Sequence, residues 1–349
     1  MTTPSNASHQ APIEARRIVL AKRPEGAPQA DDFRIEDVTL PAPAPGEVVL
    51  QTLYLSLDPY MRGRMSDAPS YAPPVPLGGV MTGEVVGRVV TSNDPQWRPG
   101  DLALAFAGWT THAVIAAKDL RRVDPQAAPI ETRLGILGMP GFTAYVGLHD
   151  IGKPKPGETV VVAAASGPVG SLVGQLARQA GARAVGIAGG ARKCGYVMEE
   201  LGFDAVIDHQ QPDMARQLAA ACPDGIDVYF ENVGGAVWNA VFPLLNTFAR
   251  VPVCGLIADY NGITARPDEA SVPALMRAVL SKRLTLRGFI NYDLESYRDA
   301  FERDVGAGVR SGKLRYTLDI VDGIDQAPQA FMGMLKGRNF GKLLVRVAQ

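Results

Sequence analysis

A glycine-rich turn in the middle of the chain has the composition of a nucleotide-binding turn. Its residues, Ala165-Ser166-Gly167-Pro168-Val169-Gly170, follow the pattern A-x-G-x-x-G, with alanine where the common form has its first glycine. Small residues let the backbone approach a pyrophosphate, and a helix N-terminus offers free N–H groups and a partial positive charge. A tight turn in any α/β protein could look the same. The flanking pattern, an apolar run before the turn and an amphipathic segment after it, favours a dinucleotide site.

Two cations stand where the ribose of a dinucleotide is usually recognised. About twenty residues beyond the turn, NAD enzymes carry an Asp or Glu that holds the ribose 2′-hydroxyl. This chain has Ala188-Gly189-Gly190-Ala191-Arg192-Lys193 there, without an acid. Arg192 and Lys193 suit a 2′-phosphate. The alternative is a pair of solvated cations, but cations are mildly unfavourable at a helix N-terminus. The pattern therefore predicts NADP rather than NAD.

Two further turns follow apolar runs that are typical of buried strands. Residues 231–235 (ENVGG) follow one run, and residues 254–261 (CGLIADYN) follow another. Open α/β sheets bind ligands at the carboxyl ends of their parallel strands. Gly234 and Gly255 would let the backbone come close to a cofactor there.

The elements around these turns predict a parallel, doubly wound sheet. Strand and helix patterns alternate along this part of the chain, which is the arrangement that produces such a sheet. The predicted strands are 159–165, 184–188, 205–208, 226–230, 249–253 and 284–289, and the predicted helices include 169–180 and 193–201.

The parts of the chain before and after this region have a different residue pattern. Residues 1–15 form a polar tail, and residues 16–135 consist of short apolar runs broken by Gly and Pro, which is typical of an all-β domain. Residues 313–347 return to β-like runs around one helix at 326–336. We therefore expect the end of the chain to rejoin the first domain.

Composition excludes several classes of function. The 349 residues carry 35 Lys and Arg against 36 Asp and Glu, which disfavours a nucleic-acid or polybasic membrane binder. No apolar run is long enough to span a bilayer, and no secretory signal precedes Arg17. Three dispersed cysteines fit neither a disulfide framework nor a zinc site. We expect a cytoplasmic protein with no metal and no nucleic-acid or membrane partner.

The sequence shows no pattern typical of a metal site or of a catalytic nucleophile, which limits the reactions to consider. The four histidines are dispersed, the first 193 residues contain no cysteine, and neither a Gly-x-Ser-x-Gly elbow nor a Cys–His pair is evident. A conjugated enone or enal needs no metal, because charge gathers on its oxygen as an enolate when hydride adds to the β-carbon. A tyrosine hydroxyl can stabilise that oxygen.

These motifs together resemble one family, the zinc-independent medium-chain dehydrogenase/reductases, in the branch of prostaglandin, alkenal double-bond and curcumin reductases. The resemblance extends from about residue 15 to the end of the chain. It is carried by the glycine-rich turn, by residues 231–235 and 254–261, and by residues 55–65 (LSLDPYMRGRM), 137–145 (LGMPGFTAY) and 338–342 (RNFGK). The Asp-Pro-Tyr-Met-Arg run is the most specific of them.

The resemblance implies an α/β fold with two domains and the use of NADPH. A GroES-like β domain would comprise residues 16–138 and 308–349, and a Rossmann NADP-binding domain would comprise residues 139–307. A homodimer is implied as well.

The resemblance also assigns roles to individual residues. Tyr260 matches the catalytic tyrosine near the substrate oxygen, and Tyr60 and Met139 match residues near the substrate. Lys193 is placed on the 2′-phosphate. His209 stands where the family has a tyrosine near that phosphate, so its role is open. The full set of expected cofactor contacts is Thr143, Ser166, Gly167, Pro168, Val169, Gly170, Lys193, His209, Asn232, Cys254, Gly255, Ile257, Tyr260, Phe289 and Asn339.

The expected activity is NADPH-dependent reduction of the carbon–carbon double bond of small α,β-unsaturated ketones and aldehydes. A quinone oxidoreductase on the same scaffold is the first alternative, since a fold does not determine the acceptor. A non-catalytic NADPH-binding protein is the second.

Overall fold

The computed structural model describes residues 12–262 and 272–348. The predicted tail therefore lies outside the described residues as far as residue 11. The first part of the chain is mainly β structure. Its elements are β1 (Ile13–Leu20), β2 (Phe33–Leu40), β3 (Glu47–Ser56), α1 (Tyr60–Arg64), β4 (Val85–Ser92), β5 (Leu102–Ala105), β6 (His112–Ala116) and β7 (Arg121–Arg122).

Strands and helices then alternate, as the sequence predicts. The central elements are α2 (Met139–Val146), β8 (Thr159–Ala163), α3 (Gly170–Gln179), β9 (Arg183–Ala188), α4 (Ala191–Gly195), β10 (Ala205–Asp208), α5 (Met214–Ala221), β11 (Ile226–Phe230), α6 (Gly235–Val241), β12 (Leu245–Val253), α7 (Val272–Lys282), β13 (Thr285–Gly288) and α8 (Arg298–Arg310). The last elements are β14 (Leu318–Asp322), α9 (Ala327–Leu335) and β15 (Lys342–Arg346).

The central strands form a parallel sheet in the order β10-β9-β8-β11-β12-β13. Strand β8 lies inside this sheet, and its residues are buried throughout. Val160 and Val162 pack on one face, whereas Val161 and Ala163 pack on the other. An uninterrupted apolar run suits this position because both faces of a doubly wound sheet are covered by helices.

The end of the chain joins the β part of the molecule. The second sheet has the order β14-β15-β3-β4-β5-β7, with β6 also paired to β3, and β1 and β2 form a separate pair. Helix α9 places Phe331 against Trp109, with their rings 5.6 Å apart, and Phe33 stacks on the same Trp109 ring. The mainly antiparallel β domain and the parallel Rossmann sheet confirm the expected fold class.

Several boundaries differ from the sequence prediction. Residues 13–15 belong to β1 rather than to a tail, since Ile13 pairs with Leu40. The predicted helix 193–201 starts at Ala191 and changes at Tyr196 into a π-helical turn. Helix α8 continues to Arg310, across the predicted domain limit at 307, and its buried Phe301 packs against Phe142 of α2. Helix α1 has five residues, too few to produce a periodic pattern.

Candidate active site

A cavity of about 220 Å³ opens where the β domain meets the carboxyl ends of the Rossmann strands. Its lining is mainly apolar. The β domain contributes Asp58, Pro59, Tyr60 and Tyr71. The Rossmann part contributes Met139, Pro140, Thr143, Ala164, Gly167, Pro168, Val169, Gly170, Asn232, Cys254, Gly255, Ile257, Tyr260, Phe289, Ile290 and Asn291. Thirteen of the residues predicted for the substrate and cofactor are thus brought together, and the cavity has the position expected of an active site.

The glycine-rich turn follows β8 and forms one wall of this cavity. Ala164 adopts a left-handed φ of 53°, which reverses the chain, and its carbonyl accepts a hydrogen bond of 2.9 Å from the Gly167 N–H. A Cβ atom on Gly170 would lie 2.5 Å from that same carbonyl oxygen. Glycine is therefore required at the start of α3 by close packing. The turn brings the free N–H groups of the helix N-terminus to the cavity, and this arrangement fits a pyrophosphate.

The turn after β11 is held by a buried carboxylate. One oxygen of Glu231 accepts hydrogen bonds from the Val233 N–H at 2.7 Å, the Gly234 N–H at 2.9 Å and the Tyr229 hydroxyl at 2.9 Å. The side chain of Asn232 donates to the Ala163 carbonyl at 2.9 Å, which ties this turn to the end of β8. Sequence analysis did not assign Glu231 a role, although it lies within one of the quoted motifs.

Two tyrosines enter the cavity from opposite domains. The Tyr260 hydroxyl lies 3.1 Å from the position that a Cβ atom on Gly255 would occupy. Burial raises the pKa of Tyr260, so the phenol stays protonated and can donate a hydrogen bond. The Tyr60 hydroxyl is buried and has no hydrogen-bond partner among the described residues. Burial, with Asp58 as the next cause, also raises the pKa of Tyr60.

Two consecutive hydrogen bonds join three residues on the Rossmann side of the cavity. The Thr143 hydroxyl donates to the Met139 carbonyl at 2.8 Å, and the Asn291 amide donates to the Thr143 hydroxyl at 3.0 Å. Asn291 and Tyr71 were missed by sequence analysis. Asn291 lies just beyond a predicted strand end, a position where a polar side chain can be suspected, whereas Tyr71 lies in a proline-containing loop that carries no such signal.

The residues expected at the 2′-phosphate lie outside the cavity lining, in a cluster of their own. Lys193, in the first turn of α4, donates to the Gly337 carbonyl at 2.6 Å. The guanidinium carbon of Arg192 lies 4.3 Å from the centre of the Phe340 ring, and Asn339 donates to the Gly341 carbonyl at 2.8 Å. Burial lowers the pKa of Lys193. Residues 337–341 of the β domain therefore border the first turn of α4.

His209 and Ser166 take separate places near the strand ends. The Nε2 atom of His209 lies 2.7 Å from the Cβ position of Gly189, so the ring lies beside the end of β9. Ser166 lines a small recess with Pro168 and Lys342. The carboxylate of Asp208 accepts from the Gly190 N–H at 2.9 Å. An acid thus stands near α4 that the sequence spacing did not reveal.

The Asp-Pro-Tyr-Met-Arg run has two structural anchors. Asp58 forms a buried ion pair with Lys342 of β15, and Lys342 also donates to the Leu57 carbonyl at 3.0 Å. Arg62 donates to the Gly26 carbonyl at 2.8 Å and to the Asn261 side chain at 3.2 Å. The first anchor fixes the start of α1, and the second fixes the residue after Tyr260.

Among residues 12–262 and 272–348, no group of three His, Cys, Asp or Glu side chains is placed to hold a metal ion. In the same part of the chain, no helix has the length and apolar character needed to cross a membrane.

Comparison with known proteins shows what the whole chain is similar to. Residues 16–123 match a family model for the N-terminal domain of oxidoreductases, and residues 168–304 match one for zinc-binding dehydrogenases. The chain is 53% identical to the NADPH-dependent curcumin reductase of Escherichia coli (strain K12) over 95% of this chain and 97% of that protein. It is 36% identical to the NADP(+)-dependent 2-alkenal reductase of Nicotiana tabacum over 97% and 98%.

A solved structure extends the likeness to three dimensions. CurA from Vibrio vulnificus, crystallised in complex with NADPH, superposes with a TM-score of 0.93 and 48% identity, covering 96% of this chain and 99% of that one. Because these relatives match almost the whole chain, the protein belongs to the zinc-independent medium-chain dehydrogenase/reductases.

Proposed function

We propose that this enzyme uses NADPH to reduce the carbon–carbon double bond of small α,β-unsaturated ketones and aldehydes. The observation that carries the proposal is the position of Tyr260, whose protonated phenol borders a mainly apolar cavity that also contains the glycine-rich turn. The names of the similar reductases support the same reaction class.

The residues present fit the cofactor. The glycine-rich turn at the start of α3 forms one wall of the cavity, and the free N–H groups at that helix N-terminus suit a pyrophosphate. We assign Lys193 and Asn339 to the 2′-phosphate end, with His209 beside them, and Thr143, Asn232, Cys254, Gly255, Ile257 and Phe289 to the nicotinamide end. NADPH, when bound, supplies the hydride for the β-carbon of the substrate.

The chain itself would stabilise the developing enolate. Tyr260 donates a hydrogen bond to the substrate oxygen as negative charge gathers there. Tyr60 and Met139 lie against the substrate. The Tyr60 hydroxyl, which has no partner among the described residues, is a second hydrogen-bond donor for a polar group of the substrate. The apolar walls exclude water, which strengthens each of these hydrogen bonds.

A homodimer is also part of the proposal. Strand β13 lies at the edge of the Rossmann sheet. Helix α7, directly before it, exposes Val272 (71%), Met276 (59%) and Leu280 (79%), which share one face at a spacing of four residues. An open strand edge beside an exposed apolar stripe suits pairing with a second copy.

We place the protein in the cytoplasm. Cys194, Cys222 and Cys254 are all free thiols, which suits a reducing compartment.

The reaction is tested by following NADPH oxidation with an enone and with its saturated ketone. Only the enone should support turnover, and the product should be the saturated ketone. A simple quinone belongs in the same panel, because activity with the quinone alone would replace this proposal by the quinone oxidoreductase alternative. NADPH binding without oxidation by any acceptor would favour a binding protein.

A further inference from the structure

Arg62, in helix α1, is a buried cation to which the proposed reaction assigns no part. Only 5% of its surface is exposed. In the described part of the chain, the carboxylate whose charge acts on it, Asp32, lies beyond ion-pair distance. Keeping a cation away from water costs free energy, and an apolar side chain of similar size would pack there at a lower cost. The contacts of the guanidinium therefore indicate what this residue does.

The guanidinium joins three separate parts of the chain. Its Nη2 atom donates to the Gly26 carbonyl at 2.8 Å, and its Nε atom donates to Oδ1 of the Asn261 side chain at 3.2 Å. Gly26 lies between β1 and β2, whereas Asn261 directly follows Tyr260. A Cβ atom on Gly26 would lie 3.9 Å from the Asn261 carbonyl oxygen, so the two segments are in contact. Arg62 thus bridges the β domain and the Rossmann residue next to Tyr260.

The turn that carries Tyr260 is attached to a different domain at each end. At its start, the Ala258 N–H donates to the Val233 carbonyl at 3.0 Å, which ties this turn to the one after β11. At its end, among the residues that the structure describes, the hydrogen bond from Arg62 is the one that ties Asn261 to a part of the chain outside the turn. The backbone at Tyr260 therefore lies between an attachment to the Rossmann domain and an attachment to the β domain.

The same short helix carries both Arg62 and Tyr60, the cavity tyrosine of the β domain. The start of this helix is fixed by the buried ion pair between Asp58 and Lys342. A hydrogen bond from this helix to Asn261 therefore sets where Tyr260 lies relative to the β-domain side of the cavity. Such placement matters for rate, because a displacement of about 1 Å can cost about 100-fold in turnover.

We infer that Arg62 is a positioning residue for Tyr260. Its guanidinium, anchored on the Gly26 carbonyl, holds the Asn261 side chain and thereby keeps the Tyr260 hydroxyl where it donates to the substrate oxygen. This inference rests on the proposed enone reduction. Arg62 is not among the described residues that line the cavity, so it acts through Tyr260 and not on the substrate.

Asn261→Ala removes the acceptor of this hydrogen bond at a half-buried position, where the fold should tolerate the change. We expect kcat for an enone to fall about tenfold, because Tyr260 is no longer held in place. The dissociation constant of NADPH should stay within about twofold, since Asn261 does not line the cavity described here. Asn261→Asp keeps an acceptor oxygen for the guanidinium and should retain most of kcat. Arg62→Met should match Asn261→Ala, and the double variant should be no slower, because all three lack the same contact.

Combination with Tyr260→Phe separates positioning from a general structural effect. In the Tyr260→Phe background, Asn261→Ala should change kcat by less than about twofold, because the hydroxyl that the contact positions is gone. A tenfold loss in both backgrounds, or no loss in either, would overturn the inference.

The matched control is Arg250→Met. Arg250 is another mostly buried arginine that donates to a backbone carbonyl, that of Gly152 at 2.9 Å, and to a side chain, that of Glu158. Glu158 directly precedes β8, at the edge of the sheet opposite the cavity. Arg250→Met should leave kcat unchanged even where it lowers the melting temperature. A loss of kcat equal to that of Arg62→Met would show that the loss of any buried arginine has this effect, and would count against the inference.

Crystal structures of the unmodified protein and of Asn261→Ala give a second readout that does not depend on turnover. The Tyr260 hydroxyl should lie beside Gly255 in the first and be displaced from it by about 1 Å or more in the second. An unchanged Tyr260 in the variant would contradict the inference. Failure of the unmodified enzyme to reduce any enone would instead refute the proposed function, and the position of Tyr260 would still decide whether Arg62 and Asn261 hold it in place.

Discussion

The ammonium group of Lys193 donates a 2.6 Å hydrogen bond to the backbone carbonyl of Gly337, although the two residues lie 144 positions apart. This bond joins the first turn of α4 to the segment before β15. It holds the cation at the border of the two domains, where we propose that it contacts the 2′-phosphate of NADPH.

Lys193→Ala should weaken NADPH binding and leave NADH binding nearly unchanged. A hydrogen bond to a charged group contributes roughly 1.5–3 kcal/mol, so KM for NADPH should rise about 10- to 100-fold. The two KM values measured on one preparation test this. Lys336→Ala, which removes an exposed neighbouring cation, is the control. Equal effects on NADPH and NADH would show that Lys193 does not recognise the phosphate.

Tyr260→Phe should lower kcat for an enone about 10²- to 10³-fold, because it removes one donor to the developing oxyanion. The dissociation constant of NADPH, measured by fluorescence titration, should stay within about twofold. Tyr297→Phe removes a different tyrosine hydroxyl, one that donates to Asp150 at 2.9 Å outside the cavity, and should leave kcat unchanged. Normal turnover in Tyr260→Phe would rule out this catalytic role.

Removing one member of the buried pair of Asp58 and Lys342 should lower the free energy of unfolding more than removing both. Lys342→Met leaves the Asp58 carboxylate buried without its cation, and we expect a loss of about 3–5 kcal/mol in the free energy of unfolding. Adding Asp58→Asn should recover part of that loss. Urea unfolding of the two single variants and the double variant provides the cycle. Additive losses would show that the pair is not coupled.

The thiol of Cys254 should react slowly despite lining the cavity. Burial raises the pKa of Cys254 to about 12, with Glu231 as a second cause, so almost none is thiolate at pH 7.5. Alkylation should inactivate the enzyme slowly at pH 7.5 and faster as the pH rises. Cys254→Ala should be unaffected by the reagent. Rapid inactivation at neutral pH through Cys254 would mean that the thiol is activated.

Fold elements that are formed by residues close together in the chain could be predicted from the sequence. The glycine-rich turn, the strand before it and the helix after it are adjacent in the chain, so hydrophobic periodicity and turn composition were enough. The fold class followed from the alternation of such units. The positions of the cysteines and histidines along the chain led to the prediction of a reaction that uses no metal.

Features that depend on distant parts of the chain could not be predicted in this way. Asp58 meets Lys342 across 284 positions, and only the pairing of β15 with β3 brings them together. Tyr71 reaches the cavity through a loop whose path depends on tertiary contacts such as that of the Val75 N–H with the Arg64 carbonyl.

The most direct test of the proposed reaction is the position of the transferred hydrogen. NADPH carrying deuterium at the transferable C4 position is incubated with the enzyme and an enone in ordinary water, and the product is examined by NMR. We expect one deuterium at the β-carbon and ordinary hydrogen from solvent at the α-carbon. Deuterium on the carbonyl carbon, or oxidation of NADPH with no reduced enone, would contradict the account.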